Sequence, residues 1–408
     1  MTEMQKKKQN NKNVPNLRFK GFEGEWIETT LGDCSQSLDY GMNAAAVEFD
    51  GENKYIRITD IDESTSKYIS DLPVSPEGEL EEKYLVKEND ILFARTGAST
   101  GKTYLYHIED GKLYFAGFLI RAKINSTNNA CFIFNQTKTS FYNKWVKLTS
   151  MRSGQPGINS QEYASFRFWI PSKQEQDKIA SFLSLLDGRI QTQNKIIAQL
   201  QTLMRGLGEQ LFKQQVRFRD DKGNDFPEWE EKFGNEVFEN ISDKNHNSDL
   251  PILAITQEHG AIPRDLIDYN ITVTEKSIES YKVVQVGDFI ISLRSFQGGI
   301  EYSKYKGICS PAYIILRATI PINKIYFKYY LKTDKYITEL NKKLEGIRDG
   351  KMISYAYFSE IPLLIPSIQE QTLIANFLSL MDEKTETEKK ILQQYENQKK
   401  YLLQNMFI

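Results

Sequence analysis

Two stretches of this chain are near-copies of one another. "IPSKQEQDKIASFLSLLD" (Ile170–Asp187) and "IPSIQEQTLIANFLSLMD" (Ile365–Asp382) align without a gap and agree at most positions. Each opens a long polar run that contains no proline. The segments upstream correspond more loosely. "LRFKGFEGEW" (Leu17–Trp26) matches "VRFRDDKGNDFPEW" (Val216–Trp229), and "ENDILFARTGAST" (Glu88–Thr100) matches "VGDFIISLRSFQGG" (Val286–Gly299). The repeat spans roughly half of 408 residues, too long for a solenoid unit and right for a tandem duplication. The order expected is a disordered basic tail over 1–14, a globular region over 15–170, a helical spacer over 171–213, a second globular region over 214–365 and a second helical spacer over 366–408. One chain with two copies can build a pseudo-two-fold object with two equivalent faces.

The spacers read as helices. Pro171 stands where a helix begins, and Gln174, Glu175 and Gln176 fill a first turn. Ile179, Phe182, Leu186, Ile190, Ile197, Leu200, Met204 and Leu207 then recur at three, four and seven. In the second copy Gln369, Glu370 and Gln371 precede Ile374, Phe377, Met381, Leu392, Tyr395 and Leu402, with gaps at Thr385, Glu388 and Lys399. Apolar seams at this spacing imply helix-on-helix packing. Helices near 40 residues would run about 60 Å, too long for one small domain to cover, so the two are expected to pair with each other. Pseudo-symmetry makes that pairing antiparallel. Gly188 is a point at which the first helix could break.

The globular regions are strand-rich, and mixed α/β domains are expected. "KYIRITDI", "DILFAR", "LYFAGFLIRAKI", "DFIISLR" and "AYIILRATI" are the candidate strands. The net charge of −2 excludes a uniformly basic coat, yet Lys138, Lys144, Lys147, Arg152 and Arg167 face the single acid Glu162 between Phe134 and Ile170. Lys324, Lys328, Lys332, Lys335, Lys342, Lys343, Arg348 and Lys351 repeat that surplus. A local basic excess in a net-acidic chain is the footprint of a polyanion partner. The aromatics among them, Tyr142, Trp145, Tyr329 and Tyr330, fit helix cores as well as base stacking.

"ARTGASTGKT" (Ala94–Thr103) invites comparison with a phosphate loop, but Gly97 and Gly101 enclose three residues where that loop needs four. The matching place in the second copy, "SLRSFQGGIEYS", has no Lys-Thr. What the copies share is a strand ending in an arginine, Arg95 or Arg294, before a glycine turn. An arginine fork suits a phosphate or a guanine edge. The three histidines, His107, His246 and His259, have no metal-ligand spacing. No adenine-methylation tetrapeptide or glycine-rich cofactor fingerprint occurs. Cys34, Cys131 and Cys309 are too scattered for a disulfide framework, which fits a reducing cytoplasm. No run is long and apolar enough to span a membrane.

On the paired "IPSxQEQxxIAxFLSLxD" segments, on "SGQPGI" (Ser153–Ile158) and on the tandem globular-helical order, the chain resembles the specificity subunit of type I restriction-modification enzymes. The second copy departs from it, with "EGIRDGKMIS" where the first has "SGQPGINS". The resemblance implies a non-catalytic, DNA-binding subunit of a bacterial or archaeal phage-defence complex. Each globular region would be a target recognition domain reading one half of a bipartite, asymmetric double-stranded sequence. The helices would set the spacing and dock two adenine-methyltransferase subunits, which two restriction subunits join. S-adenosylmethionine, ATP and Mg2+ would belong to those partners and no cofactor to this chain. Residues expected at DNA are Arg95, Thr96, Ser99, Lys102, Lys147, Arg152, Ser153, Gln155, Asn159, Arg294, Ser295, Gln297, Arg348 and Lys351. Gln155, Asn159 and Gln297 join the two arginines as base-edge readers. The helical residues named above are expected in pairing or docking. The rivals are a stand-alone DNA-modifying enzyme, a coiled-coil scaffold whose globular domains bind proteins, and a silent chain of the same fold without a working partner.

Overall fold

A computed structural model describes residues 13–69, 71–152, 154–247, 249–267, 278–342 and 353–408. The expected basic tail falls almost wholly outside them, as do Lys343, Arg348 and Lys351. The chain divides into two compact units. One comprises Met1–Asn194 with Ile391–Ile408, the other Lys195–Lys390. Each therefore holds one globular region and a portion of each long helix.

The two globular regions have the same central sheet. In the first, four antiparallel strands stand in the order Ser35–Tyr40, Leu119–Ile124, Asp90–Ala94, Thr103–Leu105. In the second the order is Phe238–Ile241, Ile314–Ala318, Phe289–Ile291, Glu301–Tyr302. Asp90–Ala94 is buried along its whole length, which explains its unbroken apolar reading. The long candidate strand "LYFAGFLIRAKI" is two strands, Leu113–Phe115 and Leu119–Ile124, split at the Ala116–Phe118 corner. A buried aspartate repeats at the start of the third strand of each sheet, with an arginine of the neighbouring strand across from it. Asp288 is gripped two-pronged by Arg317 at 2.9 and 2.7 Å. Asp90 stands 3.7 Å from Arg121.

Each globular region is closed at its base by a two-stranded ladder of its first and last strands. Ile27–Thr30 pairs with Arg167–Ile170, and Glu230–Phe233 with Pro362–Ile365. The long helices start immediately afterwards, over Lys173–Phe212 and Ile368–Asn405. Gly188 does not interrupt the first. An exposed mid-helix glycine costs about 1 kcal/mol, small beside the apolar contacts on either side of it.

The seam of the long helices is visible within each unit. In the first, Asp187 meets Lys399 at 2.5 Å, among Ile179, Leu183, Leu186 and Leu402. In the second, Gly208 lies against Leu378. The contact moves forward from Asp187 to Gly208 on one helix and backward by as many residues on the other, so the pair is antiparallel. Lys399, a gap in the apolar stripe, is thus used as an ion pair. Ile197 and Ile374 are buried too, while Phe182, Ile190, Leu200, Met204, Leu207, Phe377, Met381, Leu392 and Tyr395 are half-buried.

Glu175, Gln176, Glu370 and Gln371 need correcting in their role. Expected in pairing or docking, they are buried against their own globular regions. Glu175 accepts from Arg18 at 2.8 and 2.7 Å, and Glu370 from Arg217 at 3.1 and 2.9 Å. Gln176 accepts from the Asn129 N–H and Gln371 from the Asn323 N–H. A buried carboxylate requires a partner, and here it clasps the segment that leads into each region. Gln174 and Gln369 remain exposed.

Candidate nucleic-acid interface

The glycine turn after Asp90–Ala94 is zipped to the "SGQPGI" segment. Gly97 N–H donates to the Pro156 carbonyl at 2.9 Å, and Ile158 N–H to the Arg95 carbonyl at 2.9 Å. Thr96 and Gly157 form a bridge between them. Gly97 adopts φ +74°, a left-handed conformation that favours glycine, with the Gln155 amide beside it. The N–H groups of Gly97, Thr100, Gly101 and Lys102 are all bonded within the protein. With these four amides taken and one residue too few between the glycines, the turn does not match a phosphate loop.

This pairing brings Arg95, Thr96, Gln155 and Asn159 to one corner. The Arg95 guanidinium lies 4.8 Å from the centre of the Tyr40 ring, a cation–π contact that orients its fork. Tyr40 in turn accepts from the Ser160 N–H at 3.1 Å. Ser160, with a smaller contribution from the Arg95 charge, holds that phenol below the ordinary tyrosine range. Phe118, 63% exposed, flanks the corner, and its carbonyl accepts from the Arg95 N–H. Neither Tyr40 nor Phe118 was legible as part of a site, because both reach it only through the sheet.

The remaining residues of the first region have mixed placements. Lys147 and Gln155 are exposed, and Thr96 and Ser99 half-buried. Lys102 pairs with Glu63 at 3.3 Å, and Arg152 pairs with Glu162. The Asn159 side-chain oxygen accepts from the Glu162 N–H at 2.9 Å as a helix cap, a bond that does not use its amide donors. Ser153 lies outside the described residues.

In the second region the turn is a single helical turn, Ser295–Gly298. Arg294 and Gln297 are exposed. Ser295 is a correction. It is 1% exposed and its hydroxyl accepts from the Ser292 N–H at 2.9 Å, so it shapes the turn and has no face for DNA. Several lysines counted as surface charge are also held internally. Lys328 pairs with Asp382 at 2.7 Å and Lys332 with Glu301 at 2.6 Å. The aromatics are structural as well. Tyr142 and Tyr330 are buried, and the Tyr329 hydroxyl donates to Asp382. Among the described residues no group of His, Cys, Asp or Glu could hold a metal, and no helix is long and apolar enough to cross a membrane.

The family model for the type I restriction modification DNA specificity domain matches twice, over residues 23–202 and 228–397. The chain belongs to that family. Each match takes in a globular region and most of the long helix after it, so the specificity domain and the internal repeat are the same unit. The chain is 25% identical over 420 residues to the type I restriction enzyme MjaVIII specificity subunit of Methanocaldococcus jannaschii, covering 97% of this chain and 95% of that one. Its fold resembles the crystal structure of the type I restriction-modification S subunit from M. genitalium, with TM-score 0.60, 16% identity and coverage of 97% and 99%. A structure from work on assembly and conformational transition of the type I system gives TM-score 0.52, 18% identity and coverage of 93% and 96%. The role that goes with the family is that of the type I specificity subunit, a DNA-recognition chain whose part in the complex is not catalytic.

Proposed function

We propose that this specificity subunit reads a bipartite, asymmetric double-stranded DNA sequence in the cytoplasm, one half-site through each globular region. The observation that carries this reading is the recurrence of an arginine and a glycine turn after the third strand of two sheets that share one strand order. Arg95 follows its strand directly and Arg294 lies three residues past its own, each at a glycine turn, while the residues around them differ. A shared scaffold with divergent tips is what two different half-sites require. Arg95, Arg294, Gln155, Asn159 and Gln297 are the base-edge candidates, since amides suit adenine and arginine suits guanine. Lys147 and Arg152 serve the backbone, where each neutralised phosphate adds to the salt dependence of binding.

The test is a modified-base map. The chain is co-expressed with an adenine-methyltransferase partner, and host DNA is sequenced for N6-methyladenine. A split motif that appears only with this chain is the expected result. Arg95→Glu and Arg294→Glu are each expected to weaken recognition of one half-site by about tenfold to a hundredfold. Normal methylation by both variants would sink the assignment of those two residues, and no chain-dependent motif at all would sink the reading.

Partner docking is proposed on the long helices. Gln174 and Leu185 are identical in the repeat to Gln369 and Leu380, and all four are exposed. Leu185 and Leu380 are 70% and 64% exposed. Gln174 and Leu185 lie about three turns apart, so they share a face. Residues that stay identical and exposed in both copies suit one kind of partner bound twice, here two methyltransferase subunits, which two restriction subunits join. S-adenosylmethionine, ATP and Mg2+ then belong to those partners. Leu185→Glu and Leu380→Glu are each expected to remove one methyltransferase copy, read by native mass spectrometry. Retention of both copies by the double variant would reject this face.

A further inference from the structure

A lysine occupies the same place in both globular regions, in the turn between two helices. It is followed by a threonine whose hydroxyl caps the second helix. The pairs are Lys138-Thr139 and Lys332-Thr333. Lys138 Nζ donates to the Ser66 hydroxyl at 2.5 Å and the Thr103 hydroxyl at 2.7 Å. The amine also lies 4.2 Å from the centre of the Phe134 ring. Lys332 Nζ donates to the Gln257 carbonyl at 3.0 Å and meets Glu301 at 2.6 Å.

Each amine therefore joins the same three segments. One is its own helix–helix turn. The second is the strand that leaves the glycine turn, Thr103–Leu105 or Glu301–Tyr302. The third is the tip of an upstream loop, reached at Ser66 in the first region and Gln257 in the second. That loop also touches the glycine turn directly. Glu63 pairs with Lys102 in the first region. In the second, the Gln257 side chain donates to the Arg294 carbonyl at 3.4 Å and fills the space beside Gly298.

Neither lysine is built to hold DNA phosphate. Lys332 is committed to a buried carboxylate. Burial, with the Lys399 charge adding to it, pushes the Lys138 amine down to about 7, whereas a phosphate contact needs a full charge in solvent. The partners across the clip differ, a threonine in one region and a glutamate in the other, while the lysine and its three-way position are kept.

We infer that Lys138 and Lys332 are positioning residues, each fixing the upstream loop against the glycine turn and so setting which bases of its own half-site that region accepts. This rests on the turns being the base readers. A contact held loosely by even one ångström loses discrimination, and a short-range clip from a third segment prevents that.

The experiment uses the full chain in complex with methyltransferase, and measures binding to DNA libraries degenerate at each half-site. Lys138→Met is expected to reduce base discrimination about tenfold in the half-site that Arg95→Glu disables. The other half-site should keep its preference and the salt dependence should keep its slope. In the second region Lys332→Met is combined with Glu301→Gln, so that no buried carboxylate is left alone, with the mirror-image result. Lys138→Arg should restore discrimination. Where a lysine variant fails to fold, Ser66→Ala removes the hydroxyl that Lys138 holds, and Gln257→Ala removes the side chain that ties the second loop to the Arg294 carbonyl while leaving the Lys332 bond to its backbone, and both repeat the measurement. Uniform weakening with a shallower salt slope would make the lysines phosphate contacts and overturn the inference. So would lower stability with unchanged base preference. Failure of the Arg95 and Arg294 variants to affect any half-site is a separate result, and rejects the parent reading instead.

Discussion

Deleting Met406, Phe407 and Ile408 is expected to unfold the first globular region, although they lie at the opposite end of the chain. Phe407 is buried against that region's own residues. Its ring stacks on Phe132 at 5.2 Å between centres and meets Trp26 edge-on at 6.5 Å. Met406 is buried beside it and Ile408 packs on the same core. The backbone reaches across too, with Leu17 N–H donating to the Asn405 carbonyl at 2.8 Å. Truncating a buried phenylalanine costs about 3–5 kcal/mol and a buried methionine about 2–5 kcal/mol. Together these rival the 5–15 kcal/mol that typically holds a domain. Phe212 ends the first long helix in the matching way, packed on Tyr326 and Tyr330 of the second region. Calorimetry of the deletion variant should show the first region's transition lost or lowered far more than the second's, and Phe212→Ala should give the reverse. A deletion variant with both transitions in place would show that the plug contributes nothing.

How much of this was legible follows from how far apart the interacting residues lie in sequence. The duplication, the helix start after Pro171, and the arginine-glycine corner were all readable, because each is a local pattern. The seam was readable as a period, but not the partner of Lys399, since Asp187 lies on the other helix. The corner at Arg95 could be seen, yet not its pairing with Pro156 and Gly157, which only the folded sheet brings together. Lys328 and Lys332 were counted as surface charge for the same reason. A local tally of basic residues does not register Asp382 and Glu301, which neutralise them from elsewhere in the chain. Ser295 shows the converse. Polarity beside Arg294 suggested a DNA contact, whereas a short turn needed that hydroxyl for its own backbone.

Glu370→Ala is expected to destabilise more than Glu175→Ala, even though the two glutamates are copies. Both are buried acceptors for an arginine, at 0% and 1% exposure. Removing either leaves a guanidinium without its counter-charge, and breaking such a pair costs about 3–5 kcal/mol. Arg18 and Arg217 keep some solvent access, 14% and 20%, and also donate to carbonyls at Gly24 and Pro227, which places both variants near the lower end of that range. The copies then part company. Glu370 also accepts from the Trp229 indole N–H at 3.0 Å. The matching Trp26 N–H is buried and has no hydrogen-bond partner, so Glu175→Ala takes nothing from it. Orphaning the Trp229 donor adds about 1–3 kcal/mol. Urea unfolding of the two single variants measures the difference directly, and Trp229→Phe in the Glu370→Ala background should recover part of it by removing the stranded donor. Equal losses in the two glutamate variants, with no recovery from Trp229→Phe, would mean that the indole bond carries no net stability. The clasp would then reduce to the arginine pair alone.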